Sequence, residues 1–136
     1  MSGESGKLLR VLVIEDSALL RGMLGEMLEE MTHVVVVDAV AGENAAIERI
    51  ASGEVDLAIV DLELDEGSGF GVLQHLGAAP DRFGGTRAVV LSTYAHRAIR
   101  KRCEQLGAEA FFDKASGMDD LLDFVERAAG EDRPRS

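Results

Sequence analysis

The stretch EVDLAIVDLELDEGSGFGVL, residues 54–73, decides the fold. Its apolar run Leu57–Val60 ends on a carboxylate, Asp61. A glycine-bearing acidic loop follows over residues 62–69, and then a short helical pattern. A strand that hands an Asp to a loop at its carboxyl end is how an open α/β sheet presents reactive groups.

Upstream of this stretch, residues 8–14 read as a β-branched, apolar strand ending on Glu15 and Asp16, with Ser17 placed to cap a helix. That helix carries Leu20, Met23, Leu24, Met27, Leu28 and Met31 at helical spacing, a stripe for a core. Residues 33–40 hold four consecutive valines, which suits a strand covered on both faces. A short helix closed by Gly53 leads to the strand at residues 55–60.

Downstream, residues 69–77 predict a helix and residues 79–85 a connector broken by Pro80. A fourth strand, residues 87–91, ends on Ser92 and Thr93. A helix over 95–106 is capped by Gly107. The fifth strand, residues 108–112, ends on Asp113 and Lys114. Ser116 with Asp119 resembles a capping box opening the last helix, whose buried face holds Leu121, Leu122 and Val125. Strands alternating with helices make a parallel sheet with helices on both faces, an α/β doubly wound (βα)5 fold. Residues 1–7 are an expected flexible start, 8–129 the domain and 130–136 a disordered tail.

The composition fits one soluble domain: 136 residues, 46% hydrophobic and 29% charged. The single cysteine, Cys103, has no internal disulfide partner, which points to a reducing cytoplasm. No apolar run approaches the roughly 18 residues of a membrane span. A net charge of −11 opposes direct binding to nucleic acid. A protein partner or a small cation is the expected company.

In a parallel sheet all carboxyl ends share one edge, so Glu15, Asp16, Asp61, Ser92 and Lys114 converge despite their distance in sequence. Crowded carboxylates repel, each pair at about 4 Å costing about 4 kcal/mol at an effective dielectric of about 20. A hard divalent cation such as Mg²⁺ relieves this repulsion. Lys114 and Ser92 then suit the oxygens of an incoming phosphoryl group. A carboxylate nucleophile, a metal and a lysine compose a phosphoryl-transfer site.

On these residues the chain resembles the receiver domains of bacterial two-component response regulators. The likeness covers residues 8–129 and rests on Glu15-Asp16, Asp61 with its DLELDEGSG loop, Ser92, and Lys114 within AEAFFDKAS. It implies a flavodoxin-like fold with strand order 2-1-3-4-5. It also implies that Asp61 accepts a phosphoryl group from a sensor histidine kinase or a histidine phosphotransferase. The resemblance further implies Mg²⁺ held by Glu15, Asp16, Asp61 and the backbone carbonyl of Glu63. Ser92 and Phe111 stand at the family's switch positions. Glu63 and Tyr94 stand at positions that influence dephosphorylation. The helix over 95–106 carries Arg97, Arg100, Lys101 and Arg102, a basic patch on the family's output side and a candidate partner face.

Three departures mark this chain. Glu15 stands where Asp is commoner. Asp65 stands near the place of the usual proline. Ala115 follows Lys114, where the family often has a cis proline. The chain ends soon after the fifth helix, so the expectation is a stand-alone, non-enzymatic phosphoacceptor with an unknown downstream protein target. Two other readings share parts of the pattern. One is a phosphohydrolase of the haloacid-dehalogenase type, in which Glu63 would have to replace a second Asp. The other is a pseudo-receiver that only binds proteins.

Overall fold

The computed structural model describes residues 8–79 and 85–131. Residues 1–7, the middle of the expected connector and residues 132–136 lie outside the described residues. Five strands and five helices alternate: β1 Leu9–Ile14, α1 Ala18–Glu29, β2 Val34–Val40, α2 Glu43–Ala51 and β3 Leu57–Val60, then α3 Gly69–Ala78, β4 Arg87–Ser92, α4 Arg97–Gln105, β5 Phe111–Asp113 and α5 Met118–Glu131. All pair in parallel, in the order β2-β1-β3-β4-β5. This is the 2-1-3-4-5 flavodoxin-like sheet that the resemblance implies.

Strand periodicity divides the core into two layers. Val11 and Val13 of β1, with Leu57 and Ile59 of β3, join Leu24 and Leu28 of α1 and Leu121 and Val125 of α5. The alternate residues Leu12, Ile14, Ala58 and Val60 turn the other way, to Ile50 of α2, Leu73 of α3 and Cys103 of α4. Residues buried on both faces explain why β1 and β3 read as unbroken apolar runs.

The pairing register places the chemistry. The amide of Glu15 donates to the Val40 carbonyl at 2.9 Å, that of Asp61 to Ile14 at 2.9 Å, and that of Lys114 to Ser92 at 3.0 Å. Each residue therefore sits at the last rung of a ladder, with its backbone fixed and its side chain at the carboxyl edge. Gly69 opens α3 directly against Asp61; a Cβ there would collide with the Asp61 carbonyl.

Four expectations need correction. β2 is an edge strand and only partly covered, with Asp38 and Ala39 exposed, because the order of strands leaves it one neighbour. Met23 leaves the α1 stripe and is 47% exposed. The cap position of α5 is Gly117, whose carbonyl accepts from Leu121 at 2.9 Å, one residue beyond the expected Ser116. The same helix runs on through Gly130 and Glu131, anchored by buried Ala128 and Ala129, where the tail was expected to start.

Candidate functional site

Glu15 and Asp61 are almost wholly buried, at 1% and 3% exposure, and so is Ser92. Asp16 is half-buried beside them. One carboxylate oxygen from each of Glu15, Asp16 and Asp61 lies within 4.8 Å of the others. Lys114 reaches into this cluster from the end of β5. Its Nζ stands 3.0 Å from Glu15 Oε1 and 3.1 Å from Asp61 Oδ2.

Backbone groups hold the acids in place. Asp61 Oδ1 accepts from the Glu63 amide at 3.3 Å. Glu15 folds its longer arm so that Oε2 accepts from the Ser17 amide at 3.0 Å. This spends one oxygen of Glu15 on the loop and leaves Oε1 for the pocket. Oε1 is close to Lys114 but outside hydrogen-bond geometry, and it is a buried oxygen with no hydrogen-bond partner. Arg21, which the sequence reading did not single out, donates from Nη1 to the carbonyls of Glu15 at 2.7 Å and Asp16 at 3.2 Å. Its spacing from Asp16, just over one helical turn into α1, was the available signal.

The electrostatics reflect a cluster of acids with one resident cation. Burial, followed by the charge of Glu15, pushes Asp61 up to about 7 against the pull of Lys114. Asp16 moves the other way: hydrogen bonding with the Glu15 side chain, ahead of the cost of burial, holds it below the usual carboxylate range. Burial alone would lower the Lys114 ammonium, but Glu15 and Asp61 together outweigh it and raise it.

Three hard carboxylates gathered around a single lysine, with a buried Glu15 oxygen that makes no hydrogen bond, form a set that fits a small divalent cation. Among the described residues this is the group of acids so arranged.

At the mouth, the Tyr94 hydroxyl donates to Glu63 Oε2 at 2.9 Å. The Tyr94 amide donates to Ser92 Oγ at 2.9 Å, and accepting there leaves the serine O–H free to donate. The Lys114–Ala115 peptide bond is trans. Phe111 is half-buried beneath the Arg100 guanidinium, 4.7 Å from its ring centre.

The basic residues lie apart from the acidic pocket. Arg97, Arg100 and Lys101 line a groove of about 410 Å³ with Cys103 and Phe111. Arg102 departs from the expected patch and lies over Phe70 of α3, at 5.4 Å. Burial raises the Cys103 thiol, which suits an inert core residue.

Comparison with known proteins agrees with this geometry. Protein-glutamate methylesterase/protein-glutamine glutaminase 2 of Caulobacter vibrioides is 34% identical over 111 residues, covering 79% of this chain and 30% of that protein. The transcriptional regulatory protein PdtaR of Mycobacterium tuberculosis is 31% identical over 127 residues, covering 91% and 58%. The chain thus spans less than two thirds of the length of these curated relatives.

Among solved structures, the response regulator domain of Thermotoga maritima CheB superposes with a TM-score of 0.79 at 24% identity, over 91% of this chain and 98% of that one. A chain of the CheX–CheY–BeF3–Mg²⁺ complex from Borrelia burgdorferi gives 0.81 at 18% identity, over 94% of each. At these identities both speak for the fold alone. The family profile described as "Response regulator receiver domain" matches residues 11–126. It runs from within β1 to within α5 and takes in every residue of the acidic pocket, and the chain therefore belongs to the response regulator receiver domain family.

Proposed function

We propose that this chain is phosphorylated once, on Asp61, by a sensor histidine kinase or a histidine phosphotransferase. In this reading it signals in the cytoplasm, by protein contact or by passing the group on. The observation that carries the reading is the buried Asp61 carboxylate between Glu15 and Lys114 at the carboxyl edge of the sheet. Family membership supports it, since receiver domains are the signalling modules of two-component systems. No described helix is long and apolar enough to cross a membrane.

Glu15, Asp16, Asp61 and the Glu63 carbonyl would hold Mg²⁺. When bound, that ion neutralises charge on the acids and on phosphoryl oxygens. Asp61 attacks the phosphorus of a phosphohistidine. The new O–P bond forms as the N–P bond breaks, and the imidazole nitrogen takes up a proton. Lys114 supplies a fixed positive charge to the transferred group, and Ser92 a hydroxyl donor. Phe111 and Ser92 would then read the change of state. Phe111 has no hydroxyl, so its response is a change of packing beside Arg100 and the groove. The groove sets Arg97, Arg100 and Lys101 beside Glu104 and Glu109, a mixed-charge face for a protein partner. Glu63 and Tyr94, joined across the mouth, would set how readily water reaches the phosphoryl group.

Discharge of a phosphorylated histidine phosphotransferase tests this. Label should move to the wild-type chain in the presence of Mg²⁺ and not to Asp61→Asn. Label remaining on the donor, or moving equally to Asp61→Asn, contradicts the assignment.

A further inference from the structure

The loop after Asp61 lacks the family's usual proline, and the structure shows what holds it instead. Residues 63–68 fold back so that Glu63 pairs across the turn with Ser68. The outer side of this turn is bound to the start of α2 by hydrogen bonds running both ways. The Asp65 amide donates to the Ala41 carbonyl at 3.0 Å, and the Glu43 amide to the Glu66 carbonyl at 2.8 Å. Glu66 Oε1 accepts from the Asn44 amide at 3.0 Å. In return, Glu43 Oε1 accepts from the Ser68 amide at 2.9 Å. Each carboxylate therefore serves amides at the other segment's helix N-terminus, where negative charge is favoured.

Two glycines make room for Glu43. A Cβ at either Gly67 or Gly71 would collide with its side chain. Gly67 has a positive φ of 73° and needs to be glycine in any case. Gly71 does not. It lies inside α3, where alanine is the better helix former. The seat it leaves for the Glu43 carboxylate is the structural reason for a glycine there.

We infer that Glu43 is a positioning residue for the Asp61 site. It holds Ser68, and through the Glu63–Ser68 pairing it sets the Glu63 backbone that faces Asp61 and the metal position. This rests on the phosphoacceptor reading above for its functional consequence. Glu43 touches neither the reacting atoms nor the metal position. At Ser68 its side chain acts as a hydrogen-bond acceptor, which glutamine keeps and alanine removes. Its other oxygen lies 4.0 Å from His75 Nδ1 of α3, a charge contact when that imidazole is protonated and separate from this role. Gly71→Ala should displace it without touching it chemically.

The test is Mg²⁺ titration of the full chain, followed by the fluorescence of Tyr94, the chain's one tyrosine in the absence of any tryptophan. Glu43→Ala and Gly71→Ala should each weaken Mg²⁺ binding by roughly ten-fold, the scale of lost outer-sphere support. Glu43→Gln should stay within about two-fold. In the Glu43→Ala background, Gly71→Ala should add nothing, because both changes empty the same seat. Hydrogen exchange at the Ser68 amide, measured without metal, should speed up in Glu43→Ala and not in Glu43→Gln. Wild-type Mg²⁺ affinity and Ser68 exchange in Glu43→Ala overturn the inference, as do additive effects of the two substitutions. A wild-type chain that takes up no Mg²⁺ fails the phosphoacceptor reading instead, and Ser68 exchange then still decides whether Glu43 holds the loop.

Discussion

At Asp61 the balance of forces has a definite sign. Its pKa rises from 3.8 to about 7, so the folded state binds that proton more tightly than the unfolded chain does. Asp61 therefore supports folding fully below about pH 4, and the support is lost as pH rises through about 7. At about 1.4 kcal/mol per pKa unit the loss is at most about 4 kcal/mol. Asp16, held low, has the opposite slope, confined to more acid pH. Urea unfolding in a chelator should show the wild type less stable at pH 8 than at pH 5.5. Asp61→Asn should flatten that difference and be about 1–3 kcal/mol more stable than wild type at pH 8. A wild type that gains stability over this interval contradicts the account. The proton competes with a metal for the same oxygens, so apparent Mg²⁺ affinity should also climb between pH 6 and 8.

At this scale the acids, Ser92 and Lys114 were legible because each ends an apolar run. The roles of Glu15 Oε2, Arg21 and Glu43 were not. They depend on side chains folding back onto amides and carbonyls of other loops, and no spacing rule encodes those contacts.

Among the elements, strands covered on both faces were the easiest to read. The run Leu57–Val60 is buried throughout and could only be an inner strand. The four valines of β2 gave the same signal for a strand at the edge, because β-branched residues also suit a half-covered surface. The start of α5 was misplaced by one residue, since a favourable Ser116 lost to the close packing of Gly117 on the Asp113 backbone. Caps read correctly have measurable consequences. Ser17 Oγ accepts from the Leu20 amide at 3.2 Å and opens α1. Ser17→Ala should cost about 1 kcal/mol of stability by denaturant unfolding. It should leave Mg²⁺ affinity within about two-fold, because the bond to Glu15 comes from the Ser17 backbone amide. A large loss of Mg²⁺ binding would mean that the hydroxyl itself orders the acidic pair.

For the molecule as a whole, the topology does most of the chemistry. One sheet edge gathers residues that are separated by up to 99 positions, from Glu15 to Lys114. Three acids face one lysine at this edge, so a bound divalent ion should stabilise the entire fold. At a concentration one hundred times its dissociation constant the gain is about 2.7 kcal/mol. Thermal melting with and without Mg²⁺ should show this gain in the wild type and little of it in Asp16→Asn.

The central claim is that this fold exists to modify one carboxylate. It is tested most directly by locating the phosphoryl group after incubation with acetyl phosphate and Mg²⁺, using mass spectrometry of the intact chain and of its peptides. The account predicts a single adduct, on Asp61, that is absent when Mg²⁺ is chelated. Continuous hydrolysis with no adduct, or an adduct on a different residue, would contradict it.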